Sequence, residues 1–313
     1  MLKKIILADH YGFCMGVKRA IQIAEETNDE KDADVTILKE IVHNKSVVER
    51  FRADGIGQKM SVEEIDSGTM IVSAHGASPE VFKQAEERGV SVIDATCPLV
   101  TRIHDIVDKL AERDYRILHF GDHHHDETLG VIGHATKEQL TVVPDVETLM
   151  KLPEDMPEKL ALTSQTTAQA SEFAEAELAA KKRWPQIKIF NTICNATNQR
   201  QKAIMNLAPK VDLTLVVGSL TSANSLRLAS MAEALCGRAY LIDSEADIDE
   251  SWFTTENSDK KLTVGITAGA STPDFLIEGV VDRLLQISNE SAELVRPQKR
   301  SRTNKLALQD ECH

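Results

Sequence analysis

Apolar residues arrive along this chain in short runs, and three of the runs end in the same way. KKIILA, VSVID and IKIF each break into a loop holding a cysteine: Cys14, Cys97 or Cys194. Beyond each cysteine the spacing changes from strand-like to helical. Val17, Ala20, Ile21 and Ala24 recur at i, i+3, i+4 and i+7, one face of a helix. Leu99, Ile103, Ile106, Val107 and Leu110 repeat the pattern, with Pro98 suited to a first helical position. Ala196, Ala203, Ile204 and Leu207 repeat it more weakly. Strand, cysteine, helix is thus a recurring opening, spaced at 83 and 97 residues.

The three stretches stay parallel beyond their openings. A second strand ends in a polar loop about 28 residues on: TILKEIVHN with His43, YRILHFGDHHHDE with His125, VDLTLVVGSLTSAN with Ser222 and Asn224. A third ends in GTMIVSAHG with His75, KLALTSQTT with Thr166, or KLTVGITAGAS with Ser271. Strands alternating with helical stretches predict right-handed βαβ units and small parallel sheets, an α/β fold of three similar modules. In such sheets ligands gather beyond the carboxyl ends of the strands, where all nine loops carry Cys, His, Thr, Ser or Asn. The modules are placed at residues 1–96, 97–193 and 194–287. From Ser288 to the end at residue 313 the periodicity stops, and Arg296, Lys299, Arg300, Arg302 and Lys305 mark a polar, basic, solvated tail. No low-complexity linker separates the modules, so they are expected to pack together.

Composition narrows the chemistry. The 313 residues are 42% hydrophobic but only 4% aromatic, which suits an Ala/Val/Ile/Leu-rich α/β protein. The first apolar run, four residues behind two lysines, is too short for a signal peptide or a membrane span. Five cysteines without paired spacing point to free thiols or metal ligands in a reducing cytoplasm. A net charge of −13 argues against nucleic acid as a partner, and an anionic substrate would need local donors to hold it.

Any one of these cysteines reads first as a small hydrophobe. Three in equivalent positions, each opening a helix, can instead converge as thiolates favoured by the helix dipole and free N–H groups. Three is one short of the four cysteines that usually hold an iron–sulfur cube, so one iron would stay open. Zinc is the competing ion, although no CxxC pair occurs. Cys236, just before a helix-stopping Gly237, reads as packing, and Cys312 lies in the tail. His43, His75, Ser222, Asn224 and Ser271 form a set of compact donors with no fixed Lys or Arg, fit for a phosphate or diphosphate together with loop N–H groups. In HHHDE at 123 to 127, consecutive side chains diverge, so one or two at most face a common centre. Asp122 and Asp126 read as solvated, and Glu127 beside a polar pocket reads as a proton donor if burial tunes it.

Together, GFCMGVKRAI, IVHN, SAHG, DATCPLV, QTT, the Cys194 to Arg200 segment, VVGS…SAN and TAGAS…PD resemble, in order, the motifs of the 4-hydroxy-3-methylbut-2-enyl diphosphate reductase family, over about residues 3 to 285. The resemblance implies three α/β modules in a pseudo-threefold trefoil around a central [4Fe-4S] cluster. It also implies two-electron reductive removal of an allylic hydroxyl, giving isopentenyl and dimethylallyl diphosphate in the last step of the non-mevalonate isoprenoid pathway. By similarity Cys14, Cys97 and Cys194 are the cluster ligands. His43, His75, His125, Ser222, Asn224 and Ser271 surround the diphosphate, Thr166 meets the substrate hydroxyl region with Thr167 beside it, and Glu127 supplies a proton. An electron donor such as ferredoxin or flavodoxin is implied, because no flavin or nicotinamide fingerprint occurs. The chain departs from the family at His10-Tyr11, at Met15 in place of a small residue, and at Asp126, where His-Pro-Glu is common. Ala223 stands where a second serine is usual, leaving only its backbone N–H to the cradle. A paralogue reducing another allylic or phosphorylated substrate, or a non-catalytic iron–sulfur sensor, are the alternatives.

Overall fold

A computed structural model describes residues 2–30, 34–254 and 261–297 of the chain. Strand β1 (Leu2–Leu7) leads through Cys14 into helix α1 (Met15–Glu30), whose apolar face buries Val17, Ala20, Ile21 and Ala24, the positions that the i, i+3, i+4, i+7 spacing marks. The chain continues through β2 (Val35–Leu38), α2 (Lys45–Ala53), β3 (Gly57–Lys59), β4 (Thr69–Val72), α3 (Pro79–Glu87) and β5 (Ser91–Asp94). Cys97 and α4 (Pro98–Ala111) open the next set, with β6 (Arg116–Phe120), α5 (Asp126–Ile132), β7 (Leu140–Val143), α6 (Val146–Met150), β8 (Leu160–Ser164), α7 (Ala170–Arg183) and β9 (Lys188–Ile189). Cys194 and α8 (Asn195–Leu207) open the last, with β10 (Leu213–Val217), α9 (Ala223–Cys236), β11 (Ala239–Ile242), β12 (Leu262–Ala268), α10 (Asp274–Ile287) and β13 (Glu293–Val295).

These strands form three parallel sheets, ordered β3-β2-β4-β5, β7-β6-β8-β9 and β11-β10-β12-β1-β13. Each repeats one topology, and each buries its strands among aliphatic side chains, as sheets covered on both faces do. Ile37, Ile71 and Phe51 lie in the first core, Leu118, Leu162 and Trp184 in the second, and Ile5, Leu215, Val264 and Val280 in the third.

The sheets correct the module boundaries at both ends of the chain. The strand before a given cysteine belongs to the preceding module's sheet, so β1 pairs with β12 and closes the cycle with the third module instead of opening the first. The division at 1–96 therefore does not hold for residues 2–7. Nor is all of 288–313 tail: β13 pairs with β1, and Arg296 holds Glu278 in a two-pronged ion pair at 2.7 and 2.5 Å. A three-residue strand is too short to register as a period. Lys299, Arg300, Arg302, Lys305 and Cys312 lie outside the described residues.

Candidate active site at the convergence of three helix starts

Cys97 and Cys194 are the N-cap residues of α4 and α8, and Cys14 directly precedes α1. Helix starts carry unpaired N–H groups, which stabilise a thiolate. Val17 N–H points at Cys14 Sγ at 3.4 Å and Thr197 N–H at Cys194 Sγ at 3.2 Å. The N–H groups of Leu99 and Val100 do the same for Cys97. Burial pushes the thiols of Cys97 and Cys194 up, and the neighbouring charges of Cys14 and Glu127 push both further. The three sulfurs thus share one environment, and all three are free and half-buried.

Two further residues define that environment. A Cβ added to Gly16 would stand 2.5 Å from Cys97 Sγ and 4.0 Å from Cys14 Sγ, so the first turn of α1 has no room for a side chain there. Arg200 is 4% exposed; its guanidinium donates to the carbonyls of Ala196 and Gly12, while its Nε has no partner. Burial lowers its pKa, and the charges of Cys14 and Cys194 oppose that. A buried cation with an orphaned donor, beside two of the three sulfurs, fits an anionic iron–sulfur group. The donor set is all cysteine sulfur on separate elements, not the close pairs typical of zinc.

Glu127, the second residue of α5, is 2% exposed. Thr166 gives it two hydrogen bonds, from N–H to Oε1 at 2.6 Å and from Oγ1 to Oε2 at 2.5 Å. Burial raises its pKa to about 7 against these bonds, the value suited to exchanging a proton near neutrality. His125 caps α5, its Nδ1 accepting the Glu127 N–H at 3.2 Å. His123 and His124 are exposed, so of the three consecutive histidines only His125 enters the site.

His125 meets His43 and His75 in a compact cluster. His43 and His75 stack at 4.1 Å between centroids, and His125 stands edge-on to them at 5.4 and 5.7 Å. Burial drives His75 well below the ordinary imidazole range and His125 to about 4, so both are neutral donors at pH 7. Ser271 Oγ donates to the His43 carbonyl at 3.0 Å, tying the third module to the first. Ser222 caps α9, with Ala223 the first helical residue behind it. Asn224, 4% exposed, has a side-chain Nδ2 without a partner.

The structure also overturns two readings. Asp126 is not solvated: its Oδ1 lies 2.5 Å from Lys39 Nζ and its Oδ2 4.0 Å from His43 Nε2. Nor does the histidine set lack a cation, because Lys39 reaches it from the end of β2. One ligand atom each from His43, His75 and Asp126 lie within 4.8 Å of one another, a spacing open to a metal ion. The Lys39 ammonium already neutralises that carboxylate. Lys39, Arg200 and Thr197 are absent from the sequence-based set. The apolar spacing marks none of them, since Thr197 and Arg200 share the buried face of α8 with Gln201 and Lys39 directly follows β2.

A family model described as LytB protein matches residues 5–285. The chain belongs to the LytB family. It is 40% identical to the 4-hydroxy-3-methylbut-2-enyl diphosphate reductase of Tolumonas auensis over 295 residues, 93% of this chain and 94% of that one. It is 38% identical to the protein of the same name from Helicobacter pylori, covering 91% of this chain and 100% of that one. Among solved structures, the E-1-hydroxy-2-methyl-but-2-enyl-4-diphosphate reductase of Plasmodium falciparum superposes with a TM-score of 0.87 at 29% identity, covering 96% and 94% of the two chains. A second, titled as the terminal enzyme of the non-mevalonate pathway, gives 0.63 at 34% identity, covering 91% and 100%. LytB members are iron–sulfur oxidoreductases, and the three parallel sheets found here match the trefoil expected of them.

Proposed function

We propose that the chain reduces 4-hydroxy-3-methylbut-2-enyl diphosphate to isopentenyl and dimethylallyl diphosphate, removing the allylic hydroxyl with two electrons in the terminal step of the non-mevalonate pathway. The observation that carries this reading is Glu127, buried, bonded twice by Thr166, and close enough to act electrostatically on Cys97 and Cys194. Cys14, Cys97 and Cys194 would hold a [4Fe-4S] cluster, which would supply the electrons and Lewis acidity for the reduction.

The chain's own residues do the rest. Glu127, with a pKa of about 7, holds a proton for the departing hydroxyl, and Thr166 fixes both of its carboxyl oxygens. Neutral His75 and His125, His43, the unpartnered amide of Asn224, and the helix-start groups at Ser222 and Ala223 face the diphosphate. Ser271 locks His43 in place through its carbonyl. Electrons arrive from a one-electron carrier such as ferredoxin or flavodoxin, and the reaction belongs to a reducing cytoplasm. No helix among the described residues is long and apolar enough to cross a membrane.

Anaerobic incubation of the iron–sulfur-loaded chain with reductant and the allylic hydroxy-diphosphate tests the proposal. It expects both isomeric diphosphates as products. A loaded chain that leaves the substrate intact while reduced would overturn it in favour of a sensor.

A further inference from the structure

Lys39 is the cation that reaches the histidine cluster, and its backbone takes a left-handed φ of +61°, unusual for a residue with a side chain. Such outliers persist where surrounding structure over-determines them, and they concentrate at ligand sites. The side chain crosses from the first module to the second to reach Asp126, the first residue of α5. Both partners are largely shielded, at 31% and 19% side-chain exposure. Asp126 itself stands 4.0 Å from His43, on the pocket assigned above to a diphosphate. A carboxylate beside an anion site opposes the ligand unless something else makes use of it.

We infer that Lys39 is a further substrate-binding residue: Asp126 holds its ammonium at the pocket while the pocket is empty, and an incoming phosphate takes the ammonium over. The exchange keeps the ammonium paired before and after; its cost is the Asp126 carboxylate, which is left without that partner beside the anion. A lysine is suited to this, being a compact point charge on a flexible stem with three rotatable donors. Asp126 thereby tunes affinity downward, which favours release of a product that keeps the same diphosphate. The charge of Lys39 also helps hold His75 neutral, consistent with its facing the cluster. The inference rests on the diphosphate occupying the histidine pocket.

Calorimetric titration of inorganic pyrophosphate into the full-length, iron–sulfur-loaded chain tests it, with Asn224→Ala as reference. Lys39→Met is expected to weaken binding about ten- to a hundredfold, the worth of a charged hydrogen bond, with Lys39→Arg restoring most of it. Asp126→Asn is expected to tighten binding by about two- to tenfold, since it removes a like charge and frees the ammonium. A mere inter-module strut predicts the reverse for Asp126→Asn: unchanged or weaker binding with a lower melting temperature, which overturns the inference even if Lys39→Met folds poorly. Unchanged affinity in Lys39→Met beside a weakened Asn224→Ala also overturns it, and leaves the proposed function standing. Unchanged affinity in both variants removes the diphosphate from this pocket and overturns both readings.

Discussion

Glu127 has two properties that a structural carboxylate lacks: a pKa near 7 and a hydrogen-bond partner on each oxygen. Glu127→Gln keeps its size and one acceptor, so it should still bind pyrophosphate and hold iron. Its turnover should fall by about 10²–10⁴-fold, the usual loss of a general acid. A near-normal anaerobic rate would show that the proton comes from elsewhere. The same shift has a stability consequence. A folded pKa raised from 4.5 to about 7 favours the folded state below pH 4.5 and withdraws that support as pH rises through 7. Glu127→Gln should therefore be more stable to unfolding than wild type at pH 8, by up to roughly 3 kcal/mol, and the gap should close on titrating to pH 4. A gap independent of pH would mean that the shift is absent. At this scale the sequence is only partly legible. Glu127 and His125 stand out by their place after a strand. Asp126 does not, because its pairing depends on Lys39, which lies 87 residues away in another module. Arg200 reads as a surface residue until the cysteines of two modules surround it.

The helix starts are the elements that matter, and Gly16 shows how tightly they meet. In an open helix, Gly→Ala gains about 1 kcal/mol. At Gly16 the new methyl would press on Cys97 Sγ at 2.5 Å, a contact that must push the sulfur or the helix aside. Gly16→Ala should thus reduce iron and sulfide retention even though α1 itself gains propensity. Full retention with raised stability would contradict the convergence of α1 and α4. The helices also explain an uneven legibility. The faces of α1 and α4 read clearly because apolar residues cover them, although in α4 the buried stripe runs through Val100 and His104, leaving Leu99 40% exposed. Helix α8 reads weakly for a physical reason: its buried face includes Thr197, Arg200 and Gln201. Polar groups that serve the site, or bond the backbone as Gln201 does to Ala168 and Ala170, erase the apolar period. Functional demand, not noise, weakened the pattern.

At the scale of the molecule the three sheets form a closed cycle, because each sheet contains the strand that delivers the next module's cysteine: β5, β9 and β1. Nothing local in the sequence reveals this; KKIILA looks like the start of the first module, and only its pairing with β12 assigns it to the third. The closure couples the third core to Cys14. Ile5, wholly buried at the centre of β1, is the residue to weaken. Ile5→Ala should cost about 2–5 kcal/mol and speed iron loss to a chelator. Lost stability with unchanged iron release would show that the sheet and the cysteine are independent. The threefold repeat, by contrast, was visible from the cysteine spacing alone, and it carries the central claim that Cys14, Cys97 and Cys194 together hold one cluster. Anaerobic iron and acid-labile sulfide analysis of the single Cys→Ser variants is the most direct test. Changing Cys14, Cys97 or Cys194 should abolish or severely deplete the cluster, whereas Cys236→Ser, whose thiol packs at the end of α9, should keep the wild-type content. A Cys97→Ser chain with full iron and sulfide would contradict the account.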